Sequence, residues 1–184
     1  MGAKKTITPA GRRQKGKRGE REVAAFLGTW WGYVEPGCVF KSTPGSGAWA
    51  SKGAVRGAFK TSGDLVTTAK LFPFTVEVKF REGFQLHTLL VGRKSPVWGW
   101  WNQACAQAAE TTPPSIPMLW FRKANDGWLV LVPKRCGLST RVQAEPSAWF
   151  LELGPPSCPG IESERTIVTT WDTIAAIVKA KDIL

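Results

Sequence analysis

The chain is poor in the residues on which several common chemistries depend. Of its 184 residues one is histidine, one is tyrosine and four are cysteine, and only 14 are Asp or Glu against 25 Lys and Arg. With His87 as the sole imidazole, a Ser–His–Asp or Cys–His arrangement would have to draw its base from that one residue; His87 reads instead as a polar residue near a turn. The cysteines (Cys38, Cys105, Cys136, Cys158) form no Cys-x-x-Cys and no Cys–His pairing at zinc spacing, so reduced structural thiols are expected. The longest apolar stretches, such as residues 128–132, fall far short of the roughly 20 residues that cross a bilayer. A Lys- and Arg-rich start with no apolar segment behind it does not read as a secretory signal, and the expected compartment is the cytoplasm.

What is present is a basic, foldable chain. Hydrophobic residues make up 43% and charged residues 21%, enough to build a core in one ordinary domain. The positive charge is localised. Residues 1–94 hold 17 Lys and Arg against 6 Asp and Glu, whereas residues 95–184 hold 8 of each, so the first half carries the whole net charge of +11. One cluster comprises Lys4, Lys5, Arg12, Arg13, Lys15, Lys17, Arg18 and Arg21; a second runs through Lys41, Lys52, Arg56, Lys60, Lys70, Lys79, Arg81, Arg93 and Lys94. Charge concentrated in this way is the footprint expected for a polyanion partner, since each phosphate neutralised releases counterions. For residues 1–15 a merely solvated tail explains the charge equally well.

Periodicity organises the chain. Residues 1–15 read as a flexible basic arm. Glu20, Val23, Ala24 and Leu27 follow the i, i+3, i+4, i+7 spacing of a helix over residues 16–28. A short strand is expected within 33–40, then a long Gly- and Ser-rich loop over 42–63. Residues 64–69 and 74–80 read as two strands of a hairpin. Ser95 and Pro96 supply an N-cap and an N1 proline for a helix over 97–110, with Val97, Trp101, Ala104, Cys105 and Ala108 as its apolar stripe. Strands at 117–121 and 127–132 flank a turn at Asn125-Asp126-Gly127. A strand at 149–153, a Pro/Gly loop at 154–160, a further strand and a helix from Thr170 or Asp172 follow. The order implies one α/β domain with a mixed sheet. Among the ten tryptophans, Trp98, Trp100, Trp101 and Trp128 are candidates for base stacking, but core or subunit contact is the commoner role.

Chemistry centres on three acids and a lysine. In the strand over 74–80, Phe74, Val76, Val78 and Phe80 share one face, while Thr75, Glu77, Lys79 and Arg81 share the other. A hairpin turn centred between residues 71 and 72 sets Asp64 opposite Lys79, with Glu77 its diagonal neighbour at about 7–8 Å; a one-residue slip would reverse Asp64. Glu20 lies on the apolar stripe of the first helix, so its carboxylate points inward and needs a partner or a metal; taken alone, a first-turn Glu interacting with the helix dipole explains it better. Such oxygen donors suit Mg²⁺ or Mn²⁺, and a lysine beside them stabilises charge developing on phosphate. The implied chemistry is phosphodiester hydrolysis.

At these residues the chain resembles the PD-(D/E)XK nuclease superfamily, and within it the archaeal-type Holliday junction resolvases with their phage-borne relatives. Lys15-Gly16 through Glu20-Arg21-Glu22 is similar to the opening KGxxxERE helix, Ser62-Gly63-Asp64-Leu65-Val66 to the metal-binding Asp strand, and Glu77-Val78-Lys79 to ExK, thirteen residues on from Asp64. Residues 117–122 and Gly127-Trp128 resemble the late hairpin of those resolvases. The resemblance implies a restriction-endonuclease-like mixed β-sheet flanked by helices, with a nuclease core over 16–133 and a C-terminal extension, 134–184, packed on it. It implies that Glu20, Asp64 and Glu77 hold the metal, joined by the Val78 carbonyl, that Lys79 assists the attacking water, that Arg21 and Arg122 grip phosphate, and that the 42–63 loop with Ser46 contacts a junction. Lys15, Lys17, Arg18, Lys52, Arg56, Lys60 and Arg81 complete the expected DNA-binding set. The expected partners are four-way DNA and a second copy of the chain. A duplex-cutting restriction or repair nuclease and a non-catalytic basic DNA-binding module remain the alternatives.

Overall fold

In the computed structural model the described residues are 8–43, 60–61, 63–91, 95–153 and 165–183. Helix α1 spans Pro9–Trp31. It opens well before residue 16 because Thr8 caps it, its hydroxyl oxygen accepting from the Gly11 N–H at 3.2 Å, with a proline in the first turn. Of the expected flexible arm, residues 8–15 are therefore cap and helix, and residues 1–7 lie outside the described residues. The helix also runs past Gly28. A mid-helix glycine costs about 1 kcal/mol, and burial of Trp30 and Trp31 outweighs it. The expected strand at 33–40 is a turn instead: the Val34 and Glu35 N–H groups both donate to the Trp31 carbonyl, and Tyr33 is solvent-exposed.

A small antiparallel sheet comes next, formed by β1 (Phe40–Ser42), β2 (Lys60–Thr61) and β3 (Leu65–Thr67) in the order β1-β3-β2. Strand β4 (Phe74–Phe80) pairs in parallel with β5 (Ile116–Arg122) through a crossover carrying α2 (Leu86–Val91) and α3 (Pro96–Ala109). Strand β6 (Leu129–Pro133) is antiparallel to β5 across the expected Asn125–Gly127 turn, where Asn125 has φ 67°. Helix α4 (Gly137–Ala144), strands β7 (Phe150–Leu153) and β8 (Thr166–Thr170), helix α5 (Trp171–Ile177) and a 3₁₀ turn at Ala180–Ile183 complete the chain. The large sheet has the order β4-β5-β6-β8-β7, a mixed five-stranded sheet flanked by helices, which is a restriction-endonuclease-like architecture. Strands β8 and β7 thus build residues after 133 into the sheet itself.

The expected hairpin between residues 64–69 and 74–80 does not form. Strand β3 pairs with β1 and β2, and its neighbour Gly63 touches β4 through a single parallel bridge to Val76. With β1 on one edge and β2 on the other, β3 has no free edge along Leu65–Thr67 to pair with β4. The return to β4 is pinned by Glu35, whose carboxylate accepts from Lys70 N–H at 2.8 Å and Leu71 N–H at 3.0 Å, and by burial of Phe72.

Alternation along the strands divides the core. Val76, Val78, Phe80, Met118 and Trp120 face α1 and the C-terminal helices, with Trp171 and Ile174 among them. Leu119, Phe121 and Leu131 face α3 through Val97, Trp101 and Cys105. Trp101 and Trp128 are buried and Trp98 and Trp100 pack on the second cluster, which makes them core residues. Cys38 and Cys136 are free thiols. Cys105, contrary to the expectation of four reduced cysteines, is disulfide-bonded. No described helix is long and apolar enough to cross a membrane.

Candidate active site

The free edge of β4 is where the acids meet. Along this strand odd-numbered residues bond to β5, so the backbone groups of Val76 and Val78 face the open edge. Gly63 makes that edge accessible. It has φ +88°, and a Cβ there would stand 2.5 Å from the Val76 carbonyl oxygen, so only glycine permits the approach. Asp64 follows directly: its N–H donates to the Val76 carbonyl at 2.9 Å, and its Oδ2 accepts from the Val78 N–H at 2.9 Å. The aspartate is therefore clamped between two successive open-edge residues, one position short of Glu77.

Glu77 projects from the face of β4 that looks toward α3, and its side chain is wholly buried. Its Oε1 accepts from the Lys79 ammonium, which also donates to Gln103 Oε1 at 3.2 Å. Its Oε2 is buried with no hydrogen-bond partner among the described residues. Gln107 comes near enough to lower the carboxyl's pKa, but not to complete a bond to that oxygen. Burial, then the charge of Asp64, pushes Glu77 up to about 7 despite Lys79.

Glu20 reaches the same edge from the other face of the sheet. Its helix packs tightly there: a Cβ on Gly19 would lie 3.2 Å from the Trp128 ring and 3.3 Å from Phe80 Cβ. Glu20 is buried, and its Oε2 accepts from the Lys17 ammonium at 2.6 Å. Burial raises its pKa above the ordinary carboxylate value, opposed by the Lys17 hydrogen bond and reinforced by Asp64. Both glutamates feel Asp64, and both feel Lys79. The three acids and Lys79 thus share one electrostatic neighbourhood around the β4 edge, reached by a route different from the expected hairpin.

The remaining expected residues divide into four groups. Arg18, Arg21 and Arg81 are exposed, Arg21 donating through Nε to the Lys17 carbonyl at 3.1 Å. Arg122 and Lys15 are engaged elsewhere. The Arg122 guanidinium pairs with Glu22 at 2.6 Å and lies between Phe80 and Trp128, 4.4 and 4.5 Å from their ring centres; Lys15 pairs with Glu82 and stands over Phe80. Ser46, Lys52 and Arg56 lie outside the described residues, as does the side chain of Lys60, although its backbone forms part of β2. Lys17, also among the expected DNA-binding residues, bonds Glu20 and the Thr43 carbonyl.

Sequence reasoning missed four residues of this site: Thr43, Gly63 as a steric requirement, Gln103 and Gln107. The glutamines were legible as an i, i+4 pair flanking the apolar stripe of α3. Thr43 had no signal, because its tie to Asp64 exists only after folding.

The donor set is three carboxylates with one orphaned buried oxygen, Glu77 Oε2, and such oxygens are hard-cation ligands. As the side chains stand, no three His, Cys, Asp or Glu among the described residues are gathered closely enough to hold an ion, and Lys17 and Lys79 each pair with one of the two glutamates. The chemistry fits a divalent ion that displaces one of these ammoniums.

Residues 11–184 match the model of the family described as "Phage putative PDDEXK endonuclease". The chain belongs to this PDDEXK endonuclease family. It is a nuclease of the PD-(D/E)XK superfamily, whose members use divalent metal ions. No curated protein and no solved structure matches it. The matched span includes β7, β8 and the C-terminal helices, so these belong to the family's own domain.

A bound divalent ion would supply positive charge to a phosphodiester oxygen and a water of lowered pKa. Glu20, Asp64 and Glu77 are the side chains that would hold it, with the Val78 carbonyl on the same edge. The chain's own part is positional. The Val78 N–H and the Gly63 approach fix Asp64, and Gln103 accepts from the Lys79 ammonium, which would stand available to negative charge developing on a bound phosphate.

Proposed function

We propose that this PDDEXK endonuclease is a Mg²⁺-dependent enzyme, with Mn²⁺ as a substitute, that acts in the cytoplasm as a homodimer and nicks opposed strands of four-way DNA junctions. The observation that carries the hydrolytic reading is the shared electrostatic neighbourhood of Glu20, Asp64, Glu77 and Lys79 at the open edge of β4, in a chain whose helix α1 also carries exposed Arg18 and Arg21. Support for branched DNA comes from the Lys15–Glu22 opening helix and its resemblance to junction resolvases. One observation favours a second reading, a nuclease of ordinary duplex. The β8 and β7 strands complete the sheet with residues beyond the short resolvase pattern, and the family match extends through them.

The test is cleavage of an end-labelled four-way junction and a linear duplex of the same sequence, each in Mg²⁺ and in EDTA. Products from the junction alone, in Mg²⁺ alone, support resolution. Equal cutting of both substrates moves the assignment to the duplex nuclease. Salt-sensitive binding without Mg²⁺-dependent product overturns both readings in favour of a non-catalytic module.

A further inference from the structure

We propose that Lys17 is a built-in occupant of the acidic site, its ammonium holding Glu20 while no divalent cation is bound and giving way when one enters. The proposal rests on the nuclease reading above. An i, i+3 ion pair on a helix surface explains the 2.6 Å contact with Glu20, but not the second one: the same ammonium donates to the Thr43 carbonyl at 2.6 Å. Thr43 belongs to the acidic segment. Its N–H donates to the Asp64 carbonyl at 2.9 Å and its hydroxyl to the Gly63 carbonyl at 3.0 Å. Lys17 therefore sits at the junction of α1 with the turn that presents Asp64, where a positive charge is most strongly drawn.

Charge matching points the same way. With the three acids ionised, Lys17 and Lys79 leave the cluster one negative charge; without Lys17 it carries two, the complement of a divalent ion. Of the two lysines, Lys17 is the one able to leave. Each ammonium has two partners, but the Lys17 side chain is 33% exposed and its pair spans one helix turn, whereas Lys79 is 14% exposed and bonded to the wholly buried Glu77. Once displaced, the ammonium lies beside Arg18 and Arg21 and is available to phosphate.

The experiment is calorimetric titration of Mn²⁺ into the full chain without DNA, at fixed pH and ionic strength, for the wild type, Lys17→Met, Glu20→Gln and the double variant. Removing a unit positive charge a few Å from a divalent site is expected to tighten Mn²⁺ binding roughly tenfold in Lys17→Met. A gain in affinity is a result that structural damage does not produce. In the Glu20→Gln background the gain should shrink, because the competitor's anchor is gone. Unchanged or weaker binding in Lys17→Met, or an undiminished gain without Glu20, overturns the proposal and leaves the nuclease reading standing. Absence of Mn²⁺ binding in both wild type and Lys17→Met overturns both.

Discussion

Glu77 stores a pH-dependent instability that a single substitution exposes. In the metal-free protein its carboxyl is wholly buried, beside Asp64, with one oxygen unbonded, and its pKa rises from 4.5 to about 7. A carboxyl whose folded pKa exceeds its unfolded one binds more protons when folded, so stability falls as pH rises between the two values and levels off above the higher. Between pH 5 and pH 8, at 1.36 kcal/mol per pKa unit, this group alone costs about 2–3 kcal/mol. Glu77→Gln abolishes that titration while keeping a side chain of the same shape. Urea unfolding of both proteins in EDTA at pH 5 and pH 8 isolates the effect, because the other titrating groups are common to both. The variant should gain about 2–3 kcal/mol relative to wild type between the two pH values. An equal difference at both would refute the claim that Glu77 is a strained, desolvated acid. Saturating Mn²⁺ should remove the wild type's penalty by stabilising the charged carboxylate.

Three further outcomes follow from the geometry. Gly63→Ala places a Cβ against the Val76 carbonyl at positive φ, so it should cost at least about 1–2 kcal/mol in thermal unfolding and abolish nicking by displacing Asp64. Gln14→Pro keeps every charge of α1 but breaks its exposed first half. If the basic residues act from a rigid helix, affinity for DNA in a fluorescence anisotropy titration should drop several-fold with stability nearly unchanged, whereas a flexible arm would show no drop. Glu22→Gln leaves the Arg122 guanidinium half-paired between Phe80 and Trp128, and calorimetric unfolding should report a loss of about 1–3 kcal/mol with DNA affinity intact. A loss of affinity instead would return Arg122 to the phosphate-binding set.

The sequence carried most of the site and less of the path to it. Helix α1 was legible from Val23, Ala24 and Leu27, and β4 from the alternation of Phe74 to Phe80, because both patterns record burial on one face. The N-terminal extent of α1 was not legible, since residues 9–18 carry no apolar stripe; their helicity comes from the Thr8 cap and from continuity with the buried half. The hairpin reading failed for a related reason. Asp64 to Thr67 and Phe74 to Phe80 look like neighbours in sequence, yet both edges of Leu65 to Thr67 are taken by β1 and β2, which form a separate small sheet with it. Asp64 still reached Glu77, through Gly63 rather than through register, and that steric device depends on a backbone oxygen brought close only by folding. Lys17 was read as a surface cation by charge count, although its distance of three residues from Glu20 already allowed the pair.

The central claim is that carboxylates at the β4 edge hold the ion that drives phosphodiester hydrolysis, and Asp64→Asn tests it most directly. The substitution preserves shape and the acceptor oxygen for the Val78 N–H, and removes one negative charge. Single-turnover nicking of a labelled junction in Mg²⁺, with DNA binding followed in the same samples, should show cleavage lost and binding retained. Nicking by Asp64→Asn at the wild-type rate would contradict the account.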